Sequence, residues 1–146
     1  MSKKILEIEM VPSSMWGYNL RSILTTDKWD ELRRFVYSRA KHKCEICGAK
    51  GRMEAHEIWS YDMKTSIQKL EDLVCLCNKC HMAKHFGRSQ MIGKGDQCIK
   101  HMQKINLWSY AEVMANIDQR TKEWNEREKY DWQLDISKLM DIFPPD

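Results

Sequence analysis

Apolar side chains in the first third of the chain recur at the spacing of a helix. Trp29, Leu32 and Val36 fall on one face of such a helix, and the pattern continues to about residue 40. Thr26 or Asp27 can cap its N-terminus, because a side-chain oxygen at that point accepts an otherwise unpaired backbone N–H. The pattern therefore predicts an N-terminal helix that packs one face against a core.

The segment before this helix shows no such period. Residues 10–24 mix proline, serine and glycine with scattered apolar side chains. We expect residues 1–26 to include an irregular arm on the domain surface, and we assign this arm no chemistry.

The middle of the chain predicts two strands, the second of them short and rich in apolar residues. Residues 53–59 are typical of a first strand and residues 73–76 of a short second strand, with a polar excursion over residues 61–71 between them. A helical turn is expected to begin near Cys80.

Glycines then separate this region from a further helix. The glycines at 87, 93 and 95 mark a loop, and residues 96–105 fit a short helix. We therefore expect the main domain to span residues 27–106.

The last 40 residues predict a helical extension over residues 107–146. Ser109 and Glu112 have the spacing of a capping box, which marks a helix start. The apolar positions that follow a helical period, until two prolines end it, are Tyr110, Val113, Met114, Ile117, Trp124, Trp132, Ile136, Leu139, Met140 and Phe143.

Composition limits the class of protein. The chain has 146 residues, of which 42% are hydrophobic and 31% charged, so it can bury one core and lacks the composition of a disordered protein. No apolar run approaches the roughly 20 residues that a membrane-spanning helix needs, and residues 1–10 do not form a signal peptide. We expect a cytoplasmic protein with no membrane partner.

Charge is distributed unevenly. Residues 1–106 carry 19 Lys and Arg against 12 Asp and Glu, whereas residues 107–146 carry 5 against 9. A mild basic excess in the part that holds the motifs is compatible with a polyanionic partner such as nucleic acid. The acidic extension is expected to lie away from such a partner, or to contact a protein partner or a second copy of the chain.

Four of the six cysteines form two CxxC pairs about 30 residues apart, Cys44 with Cys47 and Cys77 with Cys80. This spacing is typical of a structural zinc site, in which four thiolates surround one ion and leave no position for substrate. Disulfides are the less favoured interpretation, because the chain has no export signal. The remaining two, Cys75 and Cys98, are most simply small hydrophobic residues.

Three of the five histidines are placed to share an ion. His81 and His85 lie four residues apart, which puts them on one face of a helix, and His56 ends the first predicted strand. Three imidazoles can bind one divalent ion and leave positions open for water and phosphate. The other two, His42 and His101, are expected to be surface residues.

These motifs resemble the HNH, or His-Me finger, endonuclease family over about residues 27–86. The matching stretches are Cys44-Glu45-Ile46-Cys47-Gly48, Glu54-Ala55-His56-Glu57-Ile58, and Asp72-Leu73-Val74-Cys75-Leu76-Cys77-Asn78-Lys79-Cys80-His81-Met82-Ala83-Lys84-His85. The resemblance implies an α+β fold, with a zinc-stapled ββα-metal HNH module between an N-terminal helix and the helical extension.

The resemblance also implies roles for individual residues. It makes His56, His81 and His85 ligands of a catalytic ion, which could be Mg²⁺, Mn²⁺, Ni²⁺ or Zn²⁺. The family's general-base histidine is replaced by Glu57, and the asparagine that orients this base is replaced by Asp72. Glu57 could act as the base with a pKa raised by burial or by Asp72, could bind the ion itself, or could mark a module that has lost catalysis.

The activity implied is metal-dependent hydrolysis of phosphodiester bonds, in DNA and with low sequence specificity, because no base-reading motif is present. Lys84, Arg88 and Lys94 are the basic residues expected to bind the substrate backbone. Two alternatives stay open. One is a phosphodiesterase acting on RNA or on a signalling nucleotide, and the other is a non-catalytic adaptor that binds nucleic acid or protein.

Overall fold

The computed structural model describes residues 4–143, and within this range the chain forms a mixed α+β fold with seven α-helices and one three-stranded sheet. The helices are α1 (Leu20–Ile23), α2 (Thr26–Arg39), α3 (Asn78–Lys84), α4 (Phe86–Met91), α5 (Gly95–Asn106), α6 (Tyr110–Arg127) and α7 (Leu139–Ile142). The strands are β1 (Met53–Asp62), β2 (Ile67–Cys77) and β3 (Gln133–Asp135), and a 3-10 turn covers Ser13–Met15.

Helix α2 confirms the predicted N-terminal helix. It buries Leu32 and Val36 completely in the core. Its cap is Thr25, one residue earlier than expected, and the Thr25 hydroxyl oxygen accepts the Lys28 backbone N–H at 3.2 Å. The helix thus packs the predicted face against the sheet.

Strands β1 and β2 form a long antiparallel hairpin, so the predicted polar excursion over residues 61–71 is wrong. Ile58 pairs with Asp72 and Trp59 with Leu70, which makes Glu71 the extra residue of a β-bulge. The bulge changes which positions face inward, so that Leu70 and Leu73 are both fully buried. A strict period of two therefore could not reveal one continuous strand.

Helix α4 replaces most of the predicted glycine loop. Phe86 and Ser89 are buried, and the Ser89 hydroxyl donates a 2.7 Å hydrogen bond to the Met82 carbonyl of α3. Gly87 lies inside the helix, whereas Gly93 has φ +82° and makes the turn into α5. Packing on α3 has outweighed the low helix propensity of glycine.

The first part of the N-terminal segment packs into the core, which the sequence did not predict, whereas residues 10–24 are mostly exposed as expected. Leu6, Ile8 and Leu20 are almost entirely buried. The Asn106 side chain accepts from the Leu6 N–H and donates to the Leu6 carbonyl, each at 2.8 Å. These two bonds satisfy the backbone of a segment that enters no regular strand.

The predicted helical extension is correct over α6 and wrong over most of residues 132–143. The capping box of Ser109 and Glu112 is present at the start of α6. After α6, residues Gln133–Asp135 instead form β3, which pairs in parallel with β2. The open edge of β2 offers hydrogen bonds that a helix there would forgo, and only α7 keeps the predicted helical form. Pro144 and Pro145 lie outside the described residues.

The core gathers side chains from the N-terminal segment, α2, the hairpin, α3, α5 and α6. Within residues 4–143, every helix is too short or too polar to cross a membrane.

Candidate metal centres

Two tight turns bring four cysteine side chains together. In the first, Gly48 has φ +79° and its N–H donates to the Cys44 carbonyl, while the Cys47 N–H points at Cys44 Sγ at 3.5 Å. In the second, Cys77 ends β2 and caps α3, and its Sγ accepts the Cys80 N–H at 3.4 Å. Backbone N–H groups directed at sulfur stabilise thiolates, which are the metal-binding form of cysteine.

The four sulfur atoms have the spacing of a tetrahedral site. All lie within 4.8 Å of one another, and the Sγ atoms of Cys47 and Cys77 are 3.6 Å apart. A zinc ion with bonds of about 2.3 Å would separate its sulfur ligands by about 3.8 Å. All six cysteines are free, so no disulfide competes for these thiols. The predicted cluster is confirmed, and it could hold a structural metal such as zinc.

Protons in this cluster are shared unequally. A hydrogen bond from Cys80 lowers the pKa of Cys44 to about 4, and the same contact raises the pKa of Cys80. Cys75 is fully buried on β2, and burial raises its pKa to about 11, as expected of a small hydrophobic residue.

His101 is a residue of this cluster that the sequence did not reveal. Its Nε2 lies 3.2 Å from Cys80 Sγ, because α5 packs against α3. His101 is half-buried, so it differs from the plain surface residue that was expected. The basic residues around it concealed this contact, and its distance of 21 residues from Cys80 matches no zinc motif.

The three predicted ligand histidines also come together. His56 lies on β1, His81 on α3, and His85 immediately after α3. The β2–α3 connection has no intervening loop, so the start of the helix is held against the hairpin. This arrangement places His56 on the strand opposite His81 and His85.

The histidine ring nitrogens are close enough to share an ion. One nitrogen of each ring lies within 4.8 Å of the others, and the Nε2 atoms of His81 and His85 are 3.1 Å apart. Imidazole ligands at about 2.0–2.1 Å from a tetrahedral ion would be about 3.4 Å apart. His56 is buried whereas His85 is exposed, so the centre opens to solvent on the His85 side. The three residues thus fit a divalent ion with positions left for other ligands.

The surroundings keep the helix histidines neutral. Restricted hydration, together with the nearby His81 and His56, lowers the pKa of His85 to about 3. Burial also lowers the pKa of His81, against the raising effect of Glu54. Neutral imidazole is the form that binds metal ions.

Glu54 orients one of these rings. Its Oε1 accepts a hydrogen bond from Nδ1 of His81 at 2.9 Å, which leaves the His81 Nε2 lone pair directed at His85. Burial raises the pKa of Glu54, but its hydrogen bonds from His81 and Asn78 outweigh burial and lower it. Glu54 lies two positions before His56 on β1, and this period-two spacing was a signal that the sequence carried.

Glu9 is a second carboxylate at the centre, and no sequence motif indicated it. Its Oε2 contacts Nε2 of His56, and its Oε1 lies 3.7 Å from Lys84 Nζ. Burial raises the pKa of Glu9, but the contacts with His56 and Lys84 outweigh it, and the pKa is lowered. The contact between Glu9 and His56 could not be predicted from the sequence, because the two residues are 47 positions apart and Glu9 lies in a segment without a motif.

Glu57 lies next to His56 but makes a different contact. Its Oε1 accepts the Leu20 backbone N–H at 2.7 Å. Burial raises the pKa of Glu57 above its usual value, although the bond from Leu20 works against this. Such a carboxylate holds a proton more readily than an exposed one.

Asp72 does not support Glu57. Its Oδ1 accepts hydrogen bonds from the Leu73 N–H at 2.8 Å and from Arg39 Nη2 at 3.3 Å, and it pairs across the hairpin with Ile58. Among residues 4–143, no hydrogen bond joins it to Glu57. Asp72 therefore ties α2 to the hairpin.

The three predicted substrate-binding cations differ in availability. Lys84 is 13% exposed and pairs with Glu9, so its positive charge is neutralised within the protein. Arg88 on α4 and Lys94 before α5 are exposed, and Arg88 is near enough to His85 to lower its pKa. Arg88 thus lies near His85 on the open side of the centre.

Comparisons with known proteins found no match to this chain among protein-family models, curated proteins or solved structures. The fold and the site by themselves define a mixed α+β protein. It has a four-cysteine cluster that could hold zinc and a neighbouring three-histidine centre.

Proposed function

We propose that the protein is an HNH-type, metal-dependent endonuclease that hydrolyses phosphodiester bonds in DNA with low sequence specificity. The observation that supports this is the convergence of His56, His81 and His85 beside a hairpin and helix whose junction carries the cysteine cluster. A four-cysteine site is closed to substrate, whereas a three-histidine site leaves positions open, so chemistry belongs at the histidines.

His56, His81 and His85 would hold a divalent ion such as Mg²⁺, Mn²⁺, Ni²⁺ or Zn²⁺. The ion would polarise the phosphodiester and stabilise the negative charge that develops during hydrolysis. Glu54 holds the ring of His81 in the tautomer that presents Nε2. The chain thus supplies three imidazole ligands, one of which is oriented by a carboxylate.

Glu57 is the residue proposed to take the proton from the attacking water. Burial raises its pKa toward the working pH, which favours general-base action by a carboxylate. The Leu20 N–H fixes Oε1 of this carboxylate, and Oε2 is proposed to accept the proton. Asp72 has no part in this step, since its carboxylate is held by Arg39.

Arg88 and Lys94 are proposed to bind the DNA backbone, because both are exposed and Arg88 lies near His85 on the open side of the centre. Cation contacts of this kind position phosphates without reading bases. The zinc proposed for the cysteine cluster would hold the turn before β1 against the start of α3, and thus fix the two elements that carry the histidines.

The test is cleavage of supercoiled plasmid and single-stranded DNA by zinc-loaded protein, with Mg²⁺, Mn²⁺, Ni²⁺ or Zn²⁺ added in turn. We expect metal-dependent nicking that His81→Ala abolishes. His42→Asn is the matched control, because His42 is exposed away from the centre and asparagine tolerates its φ of 56°.

No cleavage of DNA with any of these ions would contradict the proposal. Parallel reactions with RNA and with a cyclic dinucleotide then separate the alternatives. A product from either would favour the phosphodiesterase, whereas DNA retention without any product would favour a non-catalytic adaptor.

A further inference from the structure

The N-terminal segment reaches the histidine centre through a fixed path. The Glu9 backbone N–H donates to the Lys84 carbonyl at 2.8 Å, and Asn106 holds both backbone groups of Leu6. Leu6 and Ile8 alternate into the core, so Glu7 and Glu9 point the other way. The buried side chains of Leu6 and Ile8 and the hydrogen bond from the Glu9 N–H thus hold the Glu9 carboxylate at the centre.

Glu9 meets a buried ring. The side chain of His56 is only 5% exposed, and its Nε2 contacts Glu9 Oε2. Lys84, itself mostly buried, lies on the other oxygen of the same carboxylate. A structural ion pair needs only Glu9 and Lys84, so the contact with His56 calls for a separate explanation.

Glu54, the other carboxylate at the centre, supplies this explanation. Glu54 accepts from Nδ1 of His81 and leaves Nε2 for an ion. Metal-binding histidines commonly donate their other ring N–H to a carboxylate, which fixes the tautomer and raises the basicity of the ligand nitrogen. Glu9 stands in the same relation to His56, with the two ring nitrogens exchanged.

We propose that Glu9 is a positioning residue of the histidine centre. It accepts the Nε2–H of His56, so that Nδ1 of His56 faces the ion, and it places the N-terminal segment in the metal site. This inference rests on the proposed function only in taking the three histidines as ion ligands. It adds that binding of the ion and docking of the segment favour each other, because both require the same orientation of His56.

The experiment compares ion binding by Glu9→Gln and Glu7→Gln. Glu7 is a close control, because it lies two residues away, has a similarly exposed side chain and pairs with Arg120 at 3.2 Å, away from the histidines. Protein that carries one zinc per chain is titrated with Co²⁺, and the d–d absorption gives Kd. Retained zinc and the absence of a thiolate–cobalt band show that the cysteine cluster is undisturbed.

We expect Glu9→Gln to weaken Co²⁺ binding by about 10- to 100-fold, the usual effect of removing such a carboxylate. Glu7→Gln should stay within about twofold of the unaltered protein. Equal Kd for both variants and the unaltered protein would overturn the proposal. An equal loss in both variants would also overturn it. The weaker binding would then come from the reduced negative charge of the N-terminal segment and not from the contact between Glu9 and His56.

A second measurement needs no variant. Long-range ¹H–¹⁵N spectra of the unaltered protein with Zn²⁺ added report which nitrogen of His56 is protonated. We expect Nε2–H with Nδ1 bound to the ion, and the reverse tautomer would overturn the proposal. Failure of the unaltered protein to bind a second ion would overturn the histidine centre itself, whereas normal ion binding without DNA cleavage would contradict only the proposed function.

Discussion

Oε1 of Glu54 lies 2.9 Å from Nδ1 of His81, and this bond joins strand β1 to helix α3 across the histidine centre. Because His56 follows two residues later on the same strand, β1 supplies both one candidate ligand and the group that orients another. The hairpin therefore forms part of the histidine centre and also packs against the helix.

Replacement of Glu54 should weaken the centre without unfolding the protein. We expect Glu54→Gln to lower ion affinity by about 10- to 100-fold, because glutamine can accept the hydrogen bond but does not raise the basicity of the His81 ring as a carboxylate does. Titration with Co²⁺ measures the change. Glu71→Gln is the control, since Glu71 is in the same hairpin but contacts Ser60 and Lys138. Equal affinity in both variants would contradict the role of Glu54.

Loss of the metal from the cysteine cluster should unfold the hairpin–helix junction. Structural zinc contributes on the order of 10 kcal/mol to small domains, because binding and folding occur together. We expect Cys80→Ser to lose zinc and cooperative thermal unfolding, and chelation of the unaltered protein to do the same. Cys98→Ala is the control, because Cys98 is buried on α5 outside the cluster. Zinc content by atomic absorption and melting by circular dichroism measure the result, and unchanged melting of zinc-free Cys80→Ser would refute it.

Asn106 should determine whether the N-terminal segment stays docked. Its side chain satisfies both backbone groups of Leu6, so Asn106→Ala leaves a partly buried donor and acceptor unpaired. We expect a loss of about 1–3 kcal/mol in the free energy of unfolding and faster proteolysis before residue 10. Asn116→Ala is the matched control, because the Asn116 amide makes only a 3.5 Å contact with Glu7. The prediction fails if both variants melt and are cleaved alike.

The local motifs could be predicted from the sequence because each rests on a short spacing. The CxxC pairs, the His81 and His85 spacing and the Ser109 capping box all specify geometry within a few residues. Clustering of all four cysteines then followed from chemistry, since thiolates of this spacing share an ion. These features are present in the structure.

The contacts that the sequence concealed join distant parts of the chain. Glu9 reaches His56 over 47 residues and His101 reaches Cys80 over 21, and neither pair lies in a shared motif. Half of the hairpin could not be predicted because of the bulge at Glu71, which changes the inward-facing positions in mid-strand. Strand β3 forms where apolar spacing favoured a helix, since the open edge of β2 decides its conformation.

The three possible roles of Glu57 predict different kinetics. If Glu57 is the general base, Glu57→Gln should lower DNA cleavage by about 10²- to 10⁴-fold while Co²⁺ affinity stays within about twofold, because proton transfer is lost and the ligands remain. Gln can still accept the Leu20 N–H, so the fold should be kept. Glu57→His should restore cleavage, since an imidazole accepts a proton near neutral pH.

Plasmid nicking and Co²⁺ titration on the same preparations separate the outcomes, with Glu71→Gln again as the control for a hairpin carboxylate. A Glu57→Gln variant that loses Co²⁺ binding along with cleavage would make Glu57 an ion ligand. A variant that cleaves normally would exclude Glu57 from the chemistry. If neither the unaltered protein nor Glu57→His cleaves, although both bind the ion, the site is better explained as a binding module, because a restored base would then have no reaction to assist.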